Sequence, residues 1–398
     1  MSTRPRLILS ALGILALLGC SSSDSHGTYT VSGYVVNGIA VADIDGNTTP
    51  DILGMVSTSY GNASTQGYVS TRLQTSAGAF AMPTRFGVGR GPANLVVADV
   101  NGDGKPDLVV ANADDSTISV RLADPAKPGF FLPAIVLSTP GRIPLDVAVG
   151  NLSGHTDGHL DIAVAASGFN SVLVFNQTVS GAFDGPVFFQ VGGEPQAVTV
   201  ADLDGNGFAD IAVATTSNTV TVLLQTSARA FATPVDYPTG IQPVAIKAAD
   251  LTGSGKLDLL TANYGASITP NTFGLSVLLH GTTAGTFNSA TSYTTAYRAV
   301  ALAVGDLNAD GKPDVAVACE GLPGDPGAVS VFLQNATTAG ALLPATNYPG
   351  VYGPMGVAIA DMDGDGRPDL VLADGDIVVR LNSSTAPGTF GSPNFFYN

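Results

Sequence analysis

Twenty of the 32 acidic residues fall in seven short loops of one pattern, with carboxylates or amides at loop positions 1, 3, 5 and 9. In the fullest copy, DMDGDGRPD, these are Asp361, Asp363, Asp365 and Asp369, with Gly364 and Gly366 between them. Side chains so spaced, together with the carbonyl of position 7 (Arg367), can converge on one point if glycine lets the chain curl. Every ligand would be a hard oxygen, which selects calcium over zinc or copper. Four other loops carry an equivalent set: Asp43, Asp45, Asn47 and Asp51 with the Thr49 carbonyl; Asp99, Asn101, Asp103 and Asp107 with Lys105; Asp202, Asp204, Asn206 and Asp210 with Phe208; Asp306, Asn308, Asp310 and Asp314 with Lys312. About five calcium sites are therefore expected.

The other two loops are degraded. The fifth keeps Asp250 and Asp258 but has Thr252 and Ser254 at positions 3 and 5. The third begins with Asn151 and Ser153, carries an insertion, and resumes at Asp157 and Asp161. Both are expected to bind a cation weakly or not at all. His155 and His159 lack a third nitrogen or sulfur ligand nearby, so they read as loop residues and not as a zinc pair.

A plain turn would also use Asp, Asn and Gly. Charge argues against that reading, because carboxylates 4 to 6 Å apart repel by roughly 3 to 4 kcal/mol per pair at an effective dielectric near 20. An EF-hand would need a glutamate at position 12, where this chain has Val110 in the second loop and Leu372 in the seventh, both inside strand-like runs. The loops must therefore be β-hairpin loops.

What positions them is a repeat with a period of 48 to 56 residues. Each unit runs from an apolar stretch into the acidic loop, out through a run such as DLVLA, and on through an alternating segment such as TVTVLL. A GxF element and a corner such as GRGP, GGEP or GIQP complete it. Four short strands hinged by Gly and Pro make one antiparallel propeller blade, and seven units make a seven-bladed, all-β propeller. Strand-like segments at Thr28 to Val36 and Thr389 to Tyr397 suggest that one terminus completes the blade of the other. Composition agrees, with 48 Gly, 25 Pro and no Trp.

The N-terminus is a separate object. Arg4 and Arg6 precede an apolar run from Leu7 to Leu18, too short to span a bilayer, so residues 1–19 read as an export signal. Leu17-Leu18-Gly19-Cys20 resembles the lipobox of bacterial lipoproteins, which implies a lipid on Cys20, a polar tether over 20–27, and anchorage in the cell envelope. The propeller then occupies 28–398. Cys319 is left without a disulfide partner and reads as a small buried hydrophobe. Formal net charge is −16, and loss of residues 1–19 makes it about −18, so nucleic acid is excluded as a partner.

The D-x-[DN]-G-[DN]-G-x-x-D loops, the strand that follows each, and the GxF and GxxP elements resemble the FG-GAP/VCBS repeats of the integrin α-chain propeller family. The resemblance spans nearly all of 28–398. It implies a seven-bladed propeller with calcium in hairpin loops on one face and partner binding on the opposite face or rim. The Phe-Gly and Gly-Ala-Pro signature is only partly present, as in RFGVGRGPA, and no inserted domain is visible, so integrin-type ligand binding is not carried over.

On that opposite face Tyr60, Arg90, Arg142, Tyr264, Tyr297, Arg298 and Tyr352 fall in connections where aromatic and guanidinium groups could recognise a protein or a glycan. The expected function is an interaction module for adhesion or scaffolding. The alternative is a carbohydrate-active enzyme, such as a polysaccharide lyase or glycosidase. Such an enzyme needs chemistry outside the repeat, yet the only glutamates, Glu194 and Glu320, and the off-motif Asp114, Asp115 and Asp325 form no recognisable constellation in sequence. His26 and His280 read as isolated, and no catalytic residue is assigned.

Overall fold

The computed structural model describes residues 34–58, 66–265, 274–321 and 326–396, and no helix occurs among them. Seven four-stranded antiparallel sheets follow one another along the chain: blade 1 over 34–87, blade 2 over 92–138, blade 3 over 143–190, blade 4 over 195–238, blade 5 over 243–294, blade 6 over 298–351 and blade 7 over 356–396. In every blade the strands pair in sequence order. First strands of neighbouring blades contact one another all round the ring, so they surround the axis and the fourth strands form the rim.

Strand chemistry follows that placement. The second strands, such as Asp107–Asn112 and Asp210–Thr215, are buried along their whole length, which is why they read as unbroken apolar runs. The fourth strands, such as Val187–Gln190 and Thr291–Thr294, are largely exposed. Four of the first strands place a proline, Pro92, Pro144, Pro195 or Pro243, beside a β-bulge on their free inner edge, where a missing N–H leaves no ladder bond unmade.

The core is seven apolar clusters, one between each pair of adjacent blades. Loop position 2 feeds all of them: Ile44, Val100, Leu152, Leu203, Leu251, Leu307 and Met362 are each buried in a cluster. The GxF aromatics staple blades together, as where Phe287 meets Tyr237 edge-on at 5.4 Å and Phe390 meets Tyr348 at 5.4 Å.

Ring closure corrects the expectation of an exchanged terminal strand. Tyr34–Ala42 is the innermost strand of blade 1, and blade 7 is completed by its own Asn394–Phe396. The ring closes by packing: Val36, Ile52 and Val56 join Met362, Val371 and Ile377 in one cluster, and Val36 N donates to Gly375 O at 3.0 Å. Cys319 is buried without a disulfide, as expected.

Candidate metal loops and the opposite face

Each acidic loop joins the first and second strands of its blade, so all seven lie on one face of the disc. Position 9 is a structural hub that sequence reading treated only as a ligand. Asp51, Asp107, Asp161, Asp210, Asp258, Asp314 and Asp369 are fully buried. One oxygen of each accepts from the N–H of position 2, as from Ile44 at 2.8 Å and Met362 at 2.8 Å. The other accepts from an N–H just after the third strand, supplied by Gln74, Ala123, Gln177, Gln225, His280, Gln334 and Asn382 in turn. One carboxylate thus ties the loop to both of its neighbours. The signal was in the sequence as the apolar residue between the first two acids, which must turn inward and leave its N–H to be satisfied.

Position 1 winds the loop. Asp43 Oδ1 accepts from Gly46 N at 2.7 Å and Asn47 N at 3.1 Å, and its Oδ2 from Thr48 N at 2.8 Å. Asp202 and Asp361 repeat this scheme. Gly364 and Gly366 have φ of 75° and 83°, the left-handed conformation that the curl requires. Glycine takes this conformation without strain, as the sequence implied, while Thr48 and Ala309 take it with φ of 70° and 60° in blades 1 and 6.

Among the described residues, three groups of carboxylates bring one oxygen each to within 4.8 Å of one another: Asp43, Asp45 and Asp51; Asp202, Asp204 and Asp210; Asp361, Asp363 and Asp369. These are positions 1, 3 and 9 of blades 1, 4 and 7. Blades 2 and 6 have Asn101 and Asn308 at position 3, and their acids do not group this way. The donor set fits a hard cation, and the electrostatics ask for one. Burial, with repulsion from positions 1 and 3 added, raises Asp51, Asp210 and Asp369 to about 6 despite their two N–H donors.

The remaining candidates separate by what they touch. Lys312 turns away to donate to Ala336 O at 2.9 Å, whereas Arg367 folds its guanidinium back onto Asp365. Sequence reading gave Arg367 only a carbonyl role, yet its charge sits on position 5. In blade 3, Asp161 accepts from Leu152 N, Ser153 N, Ser153 Oγ and Gln177 N, all within 3.1 Å, so hydrogen bonds satisfy it. His159 pairs with Asp157 at 3.0 Å, and His155 N donates to Asn151 Oδ1. In blade 5, Asp250 is bound by Ser254 N and Gly255 N, and no three-acid group forms there.

The opposite face is irregular. Arg90 is held by Asp115, with Nε 2.5 Å from Oδ1. Arg142 stacks against Phe169 and Phe188, its guanidinium carbon 4.6 and 4.3 Å from their ring centres, and donates to Ser171 Oγ. Tyr352 is 80% exposed. Tyr297 instead packs on the core between blades 5 and 6. Tyr60 and the N-terminal segment with Cys20, like His26 and Asp325, lie outside the described residues.

Tyr264, Arg298 and Glu320 come together: two residues that the sequence placed on the recognition face, joined by a glutamate to which it gave no partner. Tyr264 Oη donates to Glu320 Oε2 at 2.8 Å, and Arg298 donates to Tyr264 Oη at 3.0 Å while lying 4.9 Å from its ring centre. Glu320 and Tyr264 each stand six residues past their blade's position 9, on adjacent blades. Burial and the Glu320 carboxylate push the Tyr264 hydroxyl up to about 12, so it stays protonated and serves as a donor.

FG-GAP-like repeats match residues 55–110, 156–213, 202–261 and 307–372, more than half of the chain. The chain belongs to this family. No curated protein matches it in sequence. Similar solved structures include the crystal structure of BBS1N in complex with ARL6DN, soaked with lead (TM-score 0.55, 14% identity, 89% of this chain and 94% of that one). The mercury-soaked form of that complex is similar too (TM-score 0.54, 12% identity, 89% and 94%). A third is the exotype rhamnogalacturonan lyase YesX (TM-score 0.51, 14% identity, 87% and 72%). At such identities the likeness is one of fold.

Proposed function

We propose that this FG-GAP propeller is a recognition module, stiffened by calcium in its acidic loops, that binds a protein or a glycan on the face opposite those loops. The observation that carries the reading is the Tyr264–Arg298–Glu320 cluster, built from residues outside the repeat and placed where two blades meet. The Tyr264 hydroxyl, itself fixed by Glu320, holds the guanidinium beside its own ring, which is how a carboxylate- or hydroxyl-bearing ligand is met with little ordering cost. Calcium fits the all-oxygen loops of blades 1, 4 and 7, and of blades 2 and 6 with an amide at position 3. These residues would hold the ion, and its charge would relieve the repulsion among them. A glycan array with pull-down from envelope extracts tests the reading, using wild type and Arg298→Ala in calcium. Binding lost in the variant supports it; equal binding, or none by wild type, overturns it.

The second reading, a carbohydrate-active enzyme, rests on the same cluster. A Tyr264 hydroxyl raised to about 12 is a poor base at neutral pH, which weighs against it. Turnover in a polysaccharide-degradation screen would reverse that judgement. We further propose lipid anchorage through Cys20 in a bacterial envelope, facing either the periplasm or the outside. Cys20→Ser should then move the protein from the membrane to the soluble fraction, and continued membrane association would count against it.

A further inference from the structure

The degraded loop of blade 5 carries a second chemistry. In four other blades the residue that follows the third strand and donates its N–H to position 9 is glutamine, and in blade 7 it is Asn382. Several of these side chains also reach back to the preceding blade: Gln74 Nε2 donates to Met362 O, Gln225 Nε2 to Leu152 O, Gln334 Nε2 to Leu251 O and Asn382 Nδ2 to Leu307 O. Blades 2 and 3 make the equivalent bond with backbone, from Gly129 N to Ile44 O and from Leu160 N to Val100 O. Blade 5 has His280 at this position, and among the described residues its side chain makes no such bond to Leu203 O.

His280 turns inward instead. Its Nδ1 lies 2.8 Å from Asp258 Oδ1, and its Nε2 lies 3.4 Å from Ser254 Oγ. Asp258 is fully buried and fixed by Leu251 N and His280 N, so it can orient the ring without moving. With the Nδ1 proton donated to Asp258, Nε2 is left as an acceptor facing an exposed serine hydroxyl. Ser254 also accepts from Thr252 Oγ1 at 2.9 Å, which fixes its rotamer. Beside them, between blades 4 and 5, opens a cleft of about 90 Å³ lined by His280, Gly255, Lys256, Gly285, Asp202 and Asp204. The junction that the other blades bridge is here left open.

We infer that Ser254, His280 and Asp258 form a nucleophilic serine site that hydrolyses small carboxylic esters. The order of contacts is that of a base-activated nucleophile with its orienting carboxylate. A hydrogen bond of 3.4 Å is within what such sites show before a substrate tightens them. Ser254 Oγ attacks the ester carbonyl carbon as its proton passes to His280 Nε2. The tetrahedral adduct then expels the alcohol, which leaves with that proton. Water attacks the acyl-Ser254 carbonyl, giving a proton to His280 Nε2, and collapse returns that proton to Ser254 as the carboxylic acid departs. Lys256 is the cation of the lining available to the developing oxyanion. The small volume of the cleft suits a short acyl group.

This inference goes beyond recognition on the opposite face and does not depend on it. The test is labelling of the protein in calcium with a fluorophosphonate probe, the modified residue located by mass spectrometry, alongside p-nitrophenyl acetate hydrolysis. The expected result is labelling at Ser254 and hydrolysis above buffer, both lost in Ser254→Ala. Labelling should slow by at least about 100-fold in His280→Gln. His280→Gln installs the residue that four other blades carry, so its melting curve should match wild type and exclude unfolding as the cause. Absence of label at Ser254 in the folded protein, or labelling at an unchanged rate in His280→Gln, overturns the proposal.

Discussion

The two faces of the disc are built from the same seven blades and behave as opposites. On the loop face one hydrogen-bond scheme recurs seven times, with a buried carboxylate at position 9 bridging two N–H groups whether or not the loop keeps its other acids. On the other face a backbone bond recurs in blades 2, 4 and 5, but the arginine side chains each find a different partner: Arg90 finds Asp115, Arg142 finds two phenylalanines, and Arg298 finds Tyr264. The difference teaches where repetition is structural. A residue type that returns in every blade holds the blade, and a residue that departs from the repeat is free to do something else.

Chelation should separate the faces most widely. An ion that binds only the folded form stabilises it by about 2.7 kcal/mol per site at one hundred times its Kd. Emptying even the three all-acid loops should then lower the melting temperature substantially, with no change in whatever the other face binds once folded. Melting curves in calcium and in chelator measure this, and superimposable curves would sink the calcium assignment.

Substitution at position 9 comes next. Asp51→Ala leaves the Ile44 and Gln74 N–H groups buried without an acceptor, at about 1 to 3 kcal/mol each. Asp161→Ala in blade 3 should cost as much, and by an amount that calcium does not alter, since that loop lacks the acid group of blades 1, 4 and 7. Denaturant titrations with and without calcium distinguish the two. A calcium-dependent loss in Asp161→Ala would mean that the degraded loop holds an ion after all.

This second expectation also marks what the sequence could reveal. Blade number, strand order and the acid positions were legible because each is written seven times, and periodicity averages out local ambiguity. The double role of position 9 was half legible. The apolar Ile44 or Met362 between two aspartates implied an inward turn, but the acceptor for its N–H is settled only by packing. Ring closure and the Tyr264–Glu320 and Ser254–His280 pairings were not legible. Each joins residues from different strands or blades, and no spacing within one repeat encodes them.

A smaller effect, with an unusual sign, is expected from pH. Asp51, Asp210, Asp314 and Asp369 are raised from 3.8 to about 6 by burial, so the folded state binds their protons more tightly than the unfolded chain does. Their contribution is complete below pH 3.8 and is lost as pH rises through 6, so the metal-free protein should become less stable across pH 4 to 6. Calcium should flatten most of that slope. Asp146 and Asp374 are also raised to about 6 by burial but lie away from the loops, so a residual slope should persist in calcium. Melting temperature against pH in the two conditions measures it. A metal-free stability that rises over this window would show that the position 9 carboxylates are ionised without strain.

The smallest stability effect should come from Arg298→Ala, and it bears most directly on the comparison of faces. Arg298 is half-buried, begins the innermost strand of blade 6, and makes one side-chain hydrogen bond, to Tyr264 Oη, which keeps its own bond to Glu320 when the guanidinium is removed. No buried donor is stranded, so the loss should stay within about 1 kcal/mol and be the same in calcium and in chelator. Ligand binding should fall sharply over the same change. If Arg298→Ala instead destabilises as much as Asp51→Ala, the cluster is a strut between blades 5 and 6, and the two faces differ only in how regularly they are held.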